Sequence, residues 1–253
     1  MDSEDPVYAE HAEPGVLTVV LNQPRKRNAI SAPMMVRLAD LLRAADADPD
    51  VRVVIIRGAG ENFSSGGDLR QTPPEQVSIE NTRATLRPYL AAIQQVRRMA
   101  TPVIAMVDGY AVGGAFSLML ACDLVCVSDR VQIVPAFCRI GIVPEMGLAK
   151  FLPQLVGDKL AKELLFTDRV LGADELLAYR LVNRVFAPDD LAAGTLEMAR
   201  TVAAMPPLSI QVTKGMLNSG YDTGLDAMLE AESVASPFCA NTAGFRGGRN
   251  QDR

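Results

Sequence analysis

The chain has 253 residues, enough for one large domain or a domain with an appendage, and its 49% hydrophobic and 22% charged content is that of an ordinary globular protein. A formal net charge of −5 argues against a general nucleic-acid binder, which needs a basic face to neutralise phosphates. No apolar run approaches the ~20 residues that span a bilayer, and the acidic opening MDSEDPVYAEHAEPG lacks the basic and apolar regions of a secretory signal, so a cytoplasmic protein without membrane attachment is expected.

Short apolar runs predict buried strands at residues 16–21, 51–57, 102–107, 124–127 and 131–134, most of them separated by helix-period segments. After the first strand, PRKRNA gathers Arg25, Lys26 and Arg27, either a solvated loop or an anion site for a phosphorylated small ligand. Ser31 then reads as an N-cap with Pro33 in the opening turn of a helix that turns Met34, Leu38, Leu41 and Leu42 to one side. The stretch GAGENFSSGGDL follows the second strand; Gly66 and Gly67 let the backbone approach a ligand, and Asp68 can cap a following helix, although a plain loop explains it equally well. A second helix, through NTRATLRPYLAAIQQVRRMA, is expected to bury Leu86, Leu90, Ile93 and Met99, with Pro88 near its start or at a kink.

In DGYAVGGAFSLMLACD a strand ends, glycines turn the chain and an apolar helix starts near Gly114. Backbone N–H groups in a first helical turn lack intrahelical partners and sit at the positive end of the dipole, so they can receive an anion. The spacing is neither the dinucleotide fingerprint nor a lysine-bearing P-loop. Asp123 is expected to cap or orient the next strand, and Glu61 to face solvent. Cys122, Cys126, Cys138 and Cys239 have no CxxC spacing and read as buried thiols in a reducing compartment; with His11 as the one histidine, a metal site or histidine triad has little support. Beyond Asp158 the pattern turns mainly helical. An α/β core over residues 1–190 is therefore expected, followed over 191–253 by helices that pack on it or on a neighbouring subunit, with a frayed tail.

One N–H from each glycine-bearing loop would make a two-donor pocket for a developing oxyanion. The ordered motifs PRKRNAIS, FSSGGDL, PVIAMVDGYAVGGAFSLMLACD, RIGIVPEMG and LVNRV, spread from about residue 7 to about residue 245, resemble the enoyl-CoA hydratase/isomerase (crotonase) superfamily. The resemblance implies a spiral of β-β-α turns, a helical C-terminal region used to assemble a homotrimer or hexamer, and acyl-CoA substrates with no cofactor beyond the CoA they carry. It places the oxyanion donors at the backbone N–H groups of Ser65 and Gly114. CoA contacts fall on Arg25, Lys26, Arg27, Ala29, Gly66, Gly67, Asp68 and Leu69.

Two departures narrow the reaction. Where hydratases of the family carry glutamates, this chain has Ser117 and Ala136, counted with Phe116 and Phe137 among the substrate-binding positions. In the Δ3,Δ2-enoyl-CoA isomerase branches a lone carboxylate follows a proline, and Glu145 holds that place. One carboxylate suffices to move a proton from the α- to the γ-carbon of an enolate. Burial among Phe137, Ile142, Val143 and Met146 would raise its pKa. The competing local reading makes Pro144 and Glu145 the start of a helix and Ser117 a small packing residue. Met119 and Met146 read as core or acyl-pocket lining, and residues 70–88 as a border of that pocket. A hydratase or specialised acyl-CoA lyase, and a CoA-binding pseudoenzyme without turnover, are the alternatives.

Overall fold

All five expected strands form, as β2 (Val16–Leu21), β3 (Val53–Gly58), β4 (Val103–Val107), β6 (Leu124–Ser128) and β7 (Gln132–Val134), in a computed structural model that describes residues 5–68, 78–242 and 244. Three others join them: β1 (Val7–Glu13), β5 (Tyr110–Val112) and β8 (Arg184–Phe186). The larger sheet runs β1-β2-β3-β4-β6-β8, antiparallel between β1 and β2 and parallel elsewhere. A smaller parallel pair, β5 with β7, is extended by the bridges Ile30 to Gly67, Ser64 to Ala111 and Ile133 to Leu171. Parallel neighbours require crossovers. Here each crossover leaves a strand in the large sheet, adds an extended residue or strand to the small one, and returns through a helix: β2, Ile30 and α1 (Ala32–Ala47); β3, residues 64–67 and α2 (Ile79–Arg98); β4, β5 and α3 (Gly114–Ala121).

Ser31 caps α1 as expected, its Oγ accepting from the Met34 N–H at 3.3 Å, and Met34, Met35, Leu38 and Leu42 are buried. In α2 the buried side is Ala92, Ile93 and Val96 with Tyr89 partly buried behind them, while Leu90 is 44% exposed. Of the expected stripe Ile93 and Met99 are buried, while Leu86 is only partly so and Leu90 is exposed; the buried residues lie in the second half of the helix, and Pro88 lies in mid-helix. Along β3 the side chains alternate: Val54 and Ile56 enter the main core, and Val53 and Ile55 face the other side.

Helices α4 (Leu148–Val156), α5 (Asp158–Thr167) and α6 (Ala173–Ala178) lead to β8, and α7 (Leu191–Ala204) then covers the second face of the large sheet, placing Leu191 and Ala199 against Val53, Ile55 and Ile104. Helix α7 thus packs on the core, one of the two placements expected for the helices of residues 191–253. Helices α8 (Pro207–Gly220) and α9 (Leu225–Ala240) extend beyond it. Buried Lys214 tethers α8, donating to the carbonyls of Val96 (3.1 Å) and Thr101 (3.0 Å) and pairing with Asp123 at 2.7 Å. Asp123 also accepts from the Val103 N–H at 2.8 Å, so it orients the start of β4. Among the described residues no helix is long and apolar enough to cross a membrane. All four cysteines are free; Cys122 and Cys126 are buried as expected, Cys239 near the end of α9 is only partly buried, and Cys138 is exposed because it lies in a short 3-10 turn outside the sheets.

Candidate active site

The two glycine loops, α2 and residues 136–146 enclose a cavity of about 230 Å³. Its first wall is built by register. Ile30 donates to Gly66 O at 2.7 Å and accepts from Asp68 N at 2.8 Å, so Gly67, between those two bonds, points its own N–H away from Ile30. Gly67 lines the cavity, and its N–H has no acceptor among the described residues. The Ser65 N–H, expected to be an oxyanion donor, is already given to Arg27 O at 2.8 Å, and Gly66 N–H goes to Ser64 Oγ at 3.1 Å. Ser65 lines the cavity, but its N–H is committed to holding the loop. Gly66 is obligatory for another reason: at φ +87° a Cβ would lie 2.6 Å from Val112 O.

The second wall is the start of α3. Gly113, at φ +53°, turns the chain and ties its N–H to Val134 O at 2.9 Å; Gly114 follows as the first helical residue, where the N–H has no intrahelical partner. A Cβ on Gly114 would approach Met146 Sδ to 2.8 Å.

Glu145 lies in this cavity but does not start a helix. Helix α4 begins at Leu148 after Gly147, and Met146 and Gly147 both adopt left-handed φ, +56° and +85°. Burial raises the pKa of its half-buried carboxyl. Phe137, Met146 and, more openly at 39% exposure, Ile142 line the cavity with Glu145 as expected; Val143 does not, being 73% exposed. Among the described residues lining the cavity, Glu145 is the one carboxylate.

Ala136 and Phe137 line the cavity, whereas Phe116 and Ser117 are fully buried in α3 and do not. Phe116 is core. The Ser117 hydroxyl donates to the Glu145 carbonyl at 2.9 Å. Arg25, Lys26 and Arg27 are exposed on a turn that borders the cavity through Ser65, with Lys26 3.5 Å from Asp68 and Arg27 over the Tyr110 ring. Ala29 closes that turn, its N–H reaching Lys26 O at 3.1 Å. Leu69 and residues 70–77 of the expected border lie outside the described residues, and residues 78–88, in and beside the first half of α2, are not among those lining the cavity.

Three residues escaped the sequence reading. Tyr89 lines the cavity and donates to Ile30 O at 3.1 Å; burial and the charges of Asp68 and Glu145 push its pKa up to about 12, so it remains a neutral donor. Arg139 reaches the cavity with Nε 3.0 Å from Asp168, whose other oxygen accepts the N–H of Ala136, a residue held at φ +60°. Buried Asn28 ties the cationic turn to the glycine loop, donating to Ala59 O and Asn62 O and accepting from Gln23 N. Its signal is the asparagine that ends RKRN. A larger hollow of about 450 Å³ lies beside the Lys214–Asp123 pair under α8 and contains neither glycine loop, so it offers no comparable chemistry.

The fold and cavity define a class: a mixed α/β spiral, mostly parallel, with a helical C-terminal region and a cavity combining two free backbone donors with one acid. The enoyl-CoA hydratase/isomerase family profile matches residues 11–250. The sequence is 34% identical over 254 residues to 4-chlorobenzoyl coenzyme A dehalogenase-2 of Arthrobacter sp, covering 97% of this chain and 92% of that protein. It is 28% identical to 1,2-epoxyphenylacetyl-CoA isomerase of Escherichia coli K12, covering 94% and 92%. The crystal structure of an enoyl-CoA hydratase from Bacillus anthracis is similar with a TM-score of 0.92 at 28% identity, covering 98% of this chain and 97% of that one. The chain belongs to the enoyl-CoA hydratase/isomerase family.

Proposed function

We propose that this protein is an acyl-CoA enzyme working through a thioester enolate, and that its reaction is Δ3,Δ2-enoyl-CoA isomerisation with Glu145 as the proton shuttle. The observation that carries this reading is the single carboxylate among the described cavity-lining residues, beside two backbone donors. The N–H groups of Gly67 and Gly114 receive the thioester oxygen. The Glu145 carboxylate takes an α-proton from a 3-enoyl-CoA, the C–H pair becomes the enolate double bond, and negative charge moves onto the oxygen held by the two donors. Protonated Glu145 then returns the proton at the γ-carbon, leaving the 2-enoyl isomer and a carboxylate. A raised pKa suits both halves, since the acid must give back what the base removed. CoA enters as part of the substrate, with Arg25, Lys26 and Arg27 positioned to meet its phosphates. We propose a trimer or pair of trimers as the working form.

Two-glutamate hydration of a 2-enoyl-CoA is the weaker alternative, because the positions of the paired acids hold buried Ser117 and Ala136. A second reading draws support from the relative named as a 4-chlorobenzoyl coenzyme A dehalogenase at 34% identity. There the same lone carboxylate would attack a halogen-bearing ring carbon, chloride would leave, and water would cleave the resulting ester.

The test is a panel of 3-enoyl-CoA thioesters and 4-chlorobenzoyl-CoA, scored for conjugated product and for chloride. Isomerisation by the wild type, lost about a hundred- to ten-thousandfold in Glu145→Gln, supports the first reading. Chloride release without isomerisation moves the assignment to the second. Acyl-CoA binding with neither product favours the pseudoenzyme.

A further inference from the structure

Helix α3 touches the segment carrying Glu145 at two points on one face. At Gly114, an added Cβ would lie 2.8 Å from Met146 Sδ, so the methionine packs directly on the helix start. One turn later, the Ser117 Oγ donates to the Glu145 carbonyl at 2.9 Å. Residues three apart share a helix face, so 114 and 117 hold 146 and 145 in register. The Ser117 hydroxyl has one proton and a longer alternative, its own helix carbonyl at Gly113, 3.4 Å away. Its side chain is fully buried, and solvent offers it no competing partner. Among the described residues the Glu145 carbonyl otherwise accepts only the local turn bond from Leu148 N at 3.1 Å, and Met146 and Gly147 beyond it have left-handed backbones.

We infer that Ser117 is a positioning residue that fixes Glu145 to the helix carrying the Gly114 donor, thereby setting the distance between proton shuttle and oxyanion hole. The role rests on reading Glu145 as the base. A small buried residue filling a packing gap would not need its hydroxyl; a strut does. Losing the bond releases the loop, lets the carboxyl turn toward water and uncouples it from the thioester. Tyr89 and Arg139 share the cavity with Glu145, and their bonds, to the Ile30 carbonyl and to Asp168, do not involve Ser117.

The experiment compares Ser117→Ala, Ser117→Cys and wild type by two readouts. The first is the carbon-13 NMR titration of the Glu145 carboxyl, assigned by the peak absent from Glu145→Gln. We expect its pKa to fall in Ser117→Ala toward the ordinary glutamate value of ~4.3, with Ser117→Cys, a weak donor, in between. The second is isomerisation kinetics, where kcat should fall about ten- to a hundredfold in Ser117→Ala while KM changes little. An unchanged Glu145 titration in either folded variant overturns the inference. So does an unchanged kcat in a folded Ser117→Ala protein that isomerises. If the wild type isomerises nothing yet the titration moves as expected, the strut stands and the isomerase reading falls.

Discussion

Gly67 and Gly114 present backbone donors for different reasons, one through the register of a parallel bridge and the other through the first turn of a helix. The second gives the sharper mutational test, because a Cβ at 114 would lie 2.8 Å from Met146 Sδ, so a side chain there must displace Met146 at the cavity wall. Gly114→Val should lose about a hundredfold or more in turnover, with a urea midpoint shifted far less than that loss would imply; near-normal turnover by a folded variant places the hole elsewhere. At this scale the sequence was readable where chemistry marks a residue. A lone glutamate between a proline and a glycine stands out, as does a glycine before an apolar helix. It misled where a role depends on which hydrogen bond is already made. The FSSGGD motif offers consecutive N–H groups, and only the bridge to Ile30 and the Arg27 carbonyl show that Ser65 is committed and Gly67 is not. Ser117 looked like a packing residue for the same reason, since its partner lies 28 residues away.

Elements with sustained periodicity were legible, and those defined by their neighbours were not. Strand β5 is three residues long, and β1, VYAEHAE along the sheet edge, is neither a continuous apolar run nor a strict alternation, so neither has a pattern to find. In α2 helical spacing located Ile93 and Met99 but not the buried Ala92 and Val96 or the turn that brings Tyr89 to the cavity. The α8 tether is equally invisible beforehand, as a lysine in a helix is ordinarily solvated. Removing it should be costly: Lys214→Ala leaves the Asp123 carboxylate and two carbonyls without their partner. We expect a loss of about 3–5 kcal/mol in urea unfolding, against a small change for the exposed control Lys159→Ala. A loss below ~1 kcal/mol would mean that water replaces the lysine without penalty.

For the whole molecule, the α/β spiral followed the alternation of strands and helices, and of the C-terminal helices expected to pack on the core or on a neighbouring subunit, α7 packs on the core while α8 and α9 keep exposed apolar side chains. Leu217, Tyr221, Leu225 and Phe238 are each about 70% exposed in the single chain, an arrangement suited to contact between copies. Light scattering at micromolar concentration should give a trimer or twice that of the 27.2 kDa chain, and a monomer would contradict the proposed assembly. The central claim, that one glutamate moves the proton of a thioester held by two backbone donors, is tested most directly by exchange of α-protons into deuterated water. With a bound saturated acyl-CoA that cannot isomerise, the wild type should exchange its α-protons, and Glu145→Gln should bind equally well yet exchange slower by at least about a hundredfold. Wild-type exchange in the glutamine variant would contradict the account.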